Sequence, residues 1–199
     1  MLMPQKDLLL SIFASYVAAI SLLPTLINTQ YIDKLPYPYV LLFVIFPIVC
    51  VVGMQIAHRV GKKYSFLWQM AKFGFVGVLN TAIDFGVLNA LIALTSITAG
   101  VSIIGLNVIS FSVAVTNSYF WNKQWVFSAG KKGNFVTFLV VTLIGLSINT
   151  GTVYILTTYL GPDSNSSQTQ WANLAKVIAT CFSLIWNFVG YKLIVFNKK

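Results

Sequence analysis

The sequence contains no glutamate and a single histidine, and its four aspartates face thirteen lysines and arginines. With carboxylates this scarce, His58 has no neighbours of metal-ligand type, and no cluster has the spacing of a metal centre or implies a cofactor. Cys50 and Cys181 both fall inside apolar runs, where a thiol behaves as a small hydrophobe, so neither a disulfide nor a redox role is expected. A Walker-type phosphate loop is missing as well, which excludes ATP hydrolysis by that route. Nothing in the chain points to an enzyme. Charge itself is the largest deficit: 9% of the residues are charged, against about 25% in a soluble domain.

Apolar residues take the place of charge. They make up 57% of the 199 residues and raise the mean hydropathy to +0.81, the composition of an integral membrane protein. The net charge of +9 does not point to nucleic acid, because the cations flank apolar runs instead of forming a patch on a folded domain. They read as topology signals and as contacts to headgroup phosphates.

Six segments are long enough, at about 20 residues, to cross the hydrocarbon as helices. They lie near Leu8 to Ile27, Tyr39 to Ala57, Phe73 to Leu94, Val101 to Trp121, Phe135 to Leu160 and Leu174 to Phe196. The first is read as a retained span, since its run is long, contains Pro24 and has no small-x-small cleavage site. Arg59, Lys62, Lys63 and Lys72 fall between the second and third segments, Lys123, Lys131 and Lys132 between the fourth and fifth, and Lys192, Lys198 and Lys199 at the end. The alternate loops carry only Lys34. The positive-inside rule then places both termini on the cytoplasmic side of the cytoplasmic (inner) membrane.

The third segment carries Asp84, and an ionised carboxylate inside the membrane costs about 3 kcal/mol on insertion scales. Asn80 stands one turn earlier, with Gly77 and Thr81 on the same side, so the spacing gathers polar and small groups into a stripe facing protein or water. Asp84 pairs with a lysine, is protonated by burial, or carries a proton; Lys176 approaches it from the outside and Lys123 or Lys72 from the inside, and spacing leaves these readings open. Two further stripes recur at helical spacing: Asn107, Ser110, Ala114, Asn117 and Trp121, and Lys176, Thr180, Ser183, Asn187 and Tyr191. Asn122 follows the first of them. Polar residues of this kind also glue helices together, and Lys123, Lys176 and Lys192 have snorkelling as the structural alternative.

An internal repeat at a constant offset relates the last four segments. Asn80-Thr81 matches Asn149-Thr150 (149 − 80 = 69), Lys123 matches Lys192, and Val126-Phe127 matches Val195-Phe196, without a gap. Asp84 aligns with Val153, so the carboxylate breaks the repeat. The fold expected is an all-α membrane protein of six transmembrane helices: a two-helix extension, 1–61, and a bundle, 72–196, of two parallel two-helix repeats, 72–127 and 141–196.

The strings FVGVLNTAIDF (Phe75 to Phe85), NSYFWNKQWVF (Asn117 to Phe127) and WNFVGYKLIVF (Trp186 to Phe196) resemble the GtrA-like family of small membrane proteins. The resemblance covers roughly Lys72 to Phe196. It implies a part in cell-surface polysaccharide synthesis and glycosylation, through moving polyprenyl-phosphate-linked sugars across the membrane or assisting the glycosyltransferases that use them. Lys123 stands where members often carry arginine, which keeps the charge without the bidentate fork.

The expectation is therefore a flippase for a polyprenyl-phosphate-linked sugar, with an accessory subunit or anchor of a glycosyltransferase as the alternative. Lys72, Lys123, Lys192 and Lys176 are the candidate phosphate contacts. Asn80, Thr81, Asp84, Asn107, Asn117, Asn122, Asn149 and Asn187 are the candidate polar route. The partners expected are the sugar lipid, the membrane and a second copy of the chain, as a homodimer.

Overall fold

The computed structural model describes residues 2–126, 135–162, 167–190 and 194. All regular structure among them is helical. Six long helices run up and down: α1, Gln5–Asn28; α2, Pro38–Gly61; α3, Ser65–Thr95; α4, Val101–Val126; α5, Phe135–Ile155 with a π turn at Leu156–Leu160; and α6, Gln168–Gly190. α1 to α5 are long and apolar enough to span a bilayer. α6 is as long, but Gln168, Gln170, Asn173, Lys176 and Asn187 lower its apolarity.

Local sequence explains where the helices bend and stop. A π turn at Leu41–Ile45 precedes Pro47 in α2, where the proline ring would crowd the carbonyl of a regular turn. Ser96, with φ 57°, ends α3 by donating its N–H to the Ile92 carbonyl at 2.7 Å. Gly161 at φ 62° and Pro162 stop the chain after α5, as the Gly-Pro pair predicts. α6 starts six residues before the expected Leu174, because Ser167 and Gln170 form a capping box. The Gln170 N–H donates to Ser167 Oγ, and the Ser167 N–H donates to Gln170 Oε1, both at 3.1 Å. Lys176 is thereby two turns inside the helix instead of at its mouth.

α3 is the organising helix. α1 lies along it through a seam of small residues, Ser11, Ala14, Ser15, Ala18 and Ala19, against Leu79, Ala82 and Ile83. At their closest approach a Cβ on Gly86 would stand 1.9 Å from the Ser21 carbonyl oxygen, so the crossing requires glycine. On its other side α3 packs on α4, α4 on α5 and α5 on α6, while α3 and α6 touch sparingly. Leu88, Ile92, Ile103, Leu106, Val153, Ala172 and Ala179 close one apolar cluster shared by α3, α4, α5 and α6. Arg59, Lys62 and Lys63 mark one end of the molecule, termed here the cation-rich end.

Candidate functional site

One buried polar centre is assembled by α3, α4, α5 and α6. Asp84 on α3 places Oδ2 2.8 Å from Lys176 Nζ on α6 and accepts at Oδ1 from Ser110 Oγ on α4 at 2.7 Å. The Lys176 ammonium also donates to Asn107 Oδ1 on α4 and lies 3.4 Å from Asn149 Oδ1 on α5. Asn107 Nδ2 in turn donates to Asn149 Oδ1 at 3.1 Å and Thr150 Oγ1 at 3.0 Å. Lys176, Asn107 and Ser110 are 0% exposed, so the charge is neutralised by protein alone. Snorkelling does not describe Lys176. Lys176 and Asn107 stand 69 residues apart, the spacing of the expected repeat.

Two amide pairs flank this centre. Toward the cation-rich end Asn117 Nδ2 donates to Asn80 Oδ1 at 2.7 Å, and Trp121 Nε1 donates to Asn117 Oδ1 at 3.1 Å. Toward the opposite end Asn89 and Asn173 exchange hydrogen bonds of 2.6 and 2.8 Å, and the Asn89 amide also donates to Thr25 Oγ1 of α1. Beyond that pair a shallow polar depression of about 320 Å³ opens between Asn28, Ser96, Thr98 and Gln168.

At the cation-rich end Lys72 does not stand free. Its Nζ lies 2.7 Å from Asp7 Oδ1 on α1, an oxygen that also accepts from Trp125 Nε1 at 2.6 Å. The rings of Trp68 and Trp125 lie over the ammonium with centroids at 4.8 and 5.4 Å.

Of the sequence candidates, Asp84, Lys176, Asn107 and Asn149 come together, while Asn80 and Asn117 form a separate pair and Lys72 a separate cluster. Thr81 is occupied within α3, donating to the Gly77 carbonyl at 3.0 Å. Asn122 donates to Ser118, with its Oδ1 buried and, among the described residues, unpartnered. Asn187 Oδ1 is likewise buried without a partner among the described residues, and lies where a Cβ on Gly145 would approach it to 2.7 Å. The Lys123 side chain and Lys192 lie outside the described residues.

Sequence reasoning missed Asp7, Trp125, Asn89 and Asn173. Asn173 was accessible, since it precedes Lys176 by three and extends the same helical stripe. Asp7 falls one residue before the expected helix start.

Comparison with known proteins places these residues. Residues 72–196 match the family described as GtrA/DPMS, transmembrane domain. The chain belongs to that family. A similar protein, the uncharacterized membrane protein YngA of Bacillus subtilis (strain 168), is 31% identical over 131 residues, covering 64% of this chain and 79% of its own. No solved structure matches. In this GtrA/DPMS protein the polar centre lies wholly inside the family segment, and Lys72 is the segment's first residue. α1 and α2, and with them Asp7, lie outside it. The chain is an integral membrane protein of a family linked to the handling of polyprenyl-phosphate sugars.

Proposed function

We propose that the protein is a flippase that carries a polyprenyl-phosphate-linked sugar across the cytoplasmic membrane, with both termini cytoplasmic. The observation that carries this reading is the Lys176–Asp84 pair, buried where α3, α4, α5 and α6 meet. Apolar residues of similar volume would pack such a centre as stably or more so, because desolvating each ion costs several kcal/mol. A cation held mid-membrane is instead suited to an anionic substrate.

The mechanism is an exchange of anions on one ammonium. The headgroup phosphate takes the place of Asp84 on Lys176, and Ser110 retains the displaced carboxylate through its 2.7 Å hydrogen bond. The isoprenoid tail stays in lipid while the headgroup passes between α3 and α6, a step that opens the Lys176–Asp84 and Asn89–Asn173 contacts joining them. Asn80, Asn117, Asn149 and Asn187 supply amides for sugar hydroxyls, and Asn187 Oδ1, unpartnered among the described residues, serves as an acceptor. Lys72, Lys123 and Lys192 collect the phosphate at the cytoplasmic surface. The 69-residue repeat supports a pseudo-twofold relation between α3–α4 and α5–α6 in which Asn107 and Lys176, in contact, are equivalent positions.

Energetics fit an ATP-independent route. One negative charge moving outward gains about 2.3 kcal/mol per 100 mV when the cytoplasm is negative. The test is reconstitution of the purified protein in liposomes with a fluorescent polyprenyl-phosphate sugar, with and without an inside-negative potential. Expected is protein-dependent flipping that the potential accelerates outward. Flipping no faster than in protein-free liposomes sinks the transport reading in favour of an accessory role beside a glycosyltransferase.

A further inference from the structure

The first turn of α1 brings a carboxylate to a place already equipped to receive an anion. Lys72 offers a positive charge, Trp125 Nε1 a neutral donor, and both point at one oxygen of Asp7, at 2.7 and 2.6 Å. The ring faces of Trp68 and Trp125 wall the ammonium, which limits its contact with water and strengthens each charge-assisted bond. Asp7 comes from the extension, whereas Lys72 and Trp125 belong to the matched segment 72–196. The segment thus builds the receptor and the extension fills it.

The surrounding charge favours the same conclusion. Lys6, Arg59, Lys62 and Lys63 gather at this end, the level at which lipid phosphates lie, and Asp7 occupies it with the charge and acceptor character of a phosphate oxygen. Its tether is short and local. Pro4 precedes the helix without a side-chain cap, Gln5 and Lys6 are exposed, and Met3 is held by a hydrogen bond of its N–H to Gln55 Oε1 at 3.0 Å. Met3 on one side, buried in a cluster with Met54, Val76 and Trp125, and the seam of α1 on α3 on the other hold the backbone, so Asp7 is released by a rotation of its own side chain.

We propose that Lys72, Trp68 and Trp125 form a receptor for a phosphate oxyanion, and that Asp7 is its internal occupant, displaced when the phosphate enters. The inference rests on the reading that an anion is loaded at this end. It concerns binding and is independent of whether transport follows. The exchange is non-covalent: one oxyanion leaves Lys72 for the headgroup layer and another replaces it.

The test uses the full chain in detergent micelles, with farnesyl phosphate as the lipid probe and inorganic phosphate as the soluble one. Asp7→Asn should bind the probe about tenfold more tightly than the wild type, the factor expected if the open receptor is populated about one part in ten. Lys72→Gln added to Asp7→Asn should abolish the gain. A gain confined to farnesyl phosphate assigns the site to a lipid headgroup, whereas an equal gain with inorganic phosphate assigns it to a soluble phosphate; both support the latch. Equal or weaker binding of both probes by Asp7→Asn overturns it. Should that variant fold poorly, carbodiimide labelling of Asp7 in the wild type gives the answer. The probe should raise labelling severalfold, and unchanged labelling at saturating probe refutes displacement. Failed flipping with tighter binding removes only the transport reading; successful flipping with unaltered binding removes only the latch.

Discussion

Asp84–Lys176 and Asp7–Lys72 are the same two functional groups at nearly the same distance, 2.8 and 2.7 Å, in different settings. At the centre the ammonium is 0% exposed and surrounded by an amide and a hydroxyl of α4 and an amide of α5. At the edge both side chains are 12% exposed, and the ammonium rests against indole rings. The centre lies entirely within the family segment, whereas the edge pair joins that segment to α1. A sealed pair is costly to break and gains little stability by existing; a pair at the rim is cheaper to open. The first opens only when a competing anion takes over the ammonium, and the second suits a contact that is made and released more readily.

The largest effect should come from breaking the centre on one side only. Lys176→Met leaves the Asp84 carboxylate buried without its cation and should cost about 3–5 kcal/mol, read as a lower melting temperature in detergent. Adding Asp84→Val should restore most of that loss. If the double variant stays as unstable as the single one, the pair is not what the single substitution breaks. Gly86→Ala comes next. Its Cβ would stand 1.9 Å from the Ser21 carbonyl, so α1 must move off α3, at about 1–3 kcal/mol, while Asp84, two residues earlier and roughly 200° round the helix, keeps its partners. Limited proteolysis should then cleave the start of α1 faster than in the wild type. The smallest loss of stability, about 1 kcal/mol, is expected for Asp7→Asn, and a loss as large as that of Lys176→Met would erase the distinction between edge and centre.

Sequence made the membrane character and the helices legible, because apolar run length is a local property. It also led to the family through Asn80-Thr81, Asp84 and the Asn-Lys-x-Trp-Val-Phe string, and to most residues of the centre through helical spacing. The partner of Asp84 was open between lysines, since choosing Lys176 over Lys123 or Lys72 requires knowing how far α6 extends. The capping box at Ser167 and Gln170 held that information, and the apolar count hid it by starting the helix at Leu174. The role of α1 was unreadable for a different reason. Nothing in its own sequence reveals that Thr25 meets Asn89 or that Asp7 meets Lys72, contacts across 64 and 65 residues.

The central claim is that the buried Lys176–Asp84 pair exists for transport and not for stability. Flipping of a fluorescent polyprenyl-phosphate sugar by liposomes containing the Lys176→Met, Asp84→Val double variant tests it most directly, once the variant is shown to melt near the wild type. The expected result is flipping no faster than in protein-free liposomes. Wild-type flipping by the folded double variant would contradict the claim.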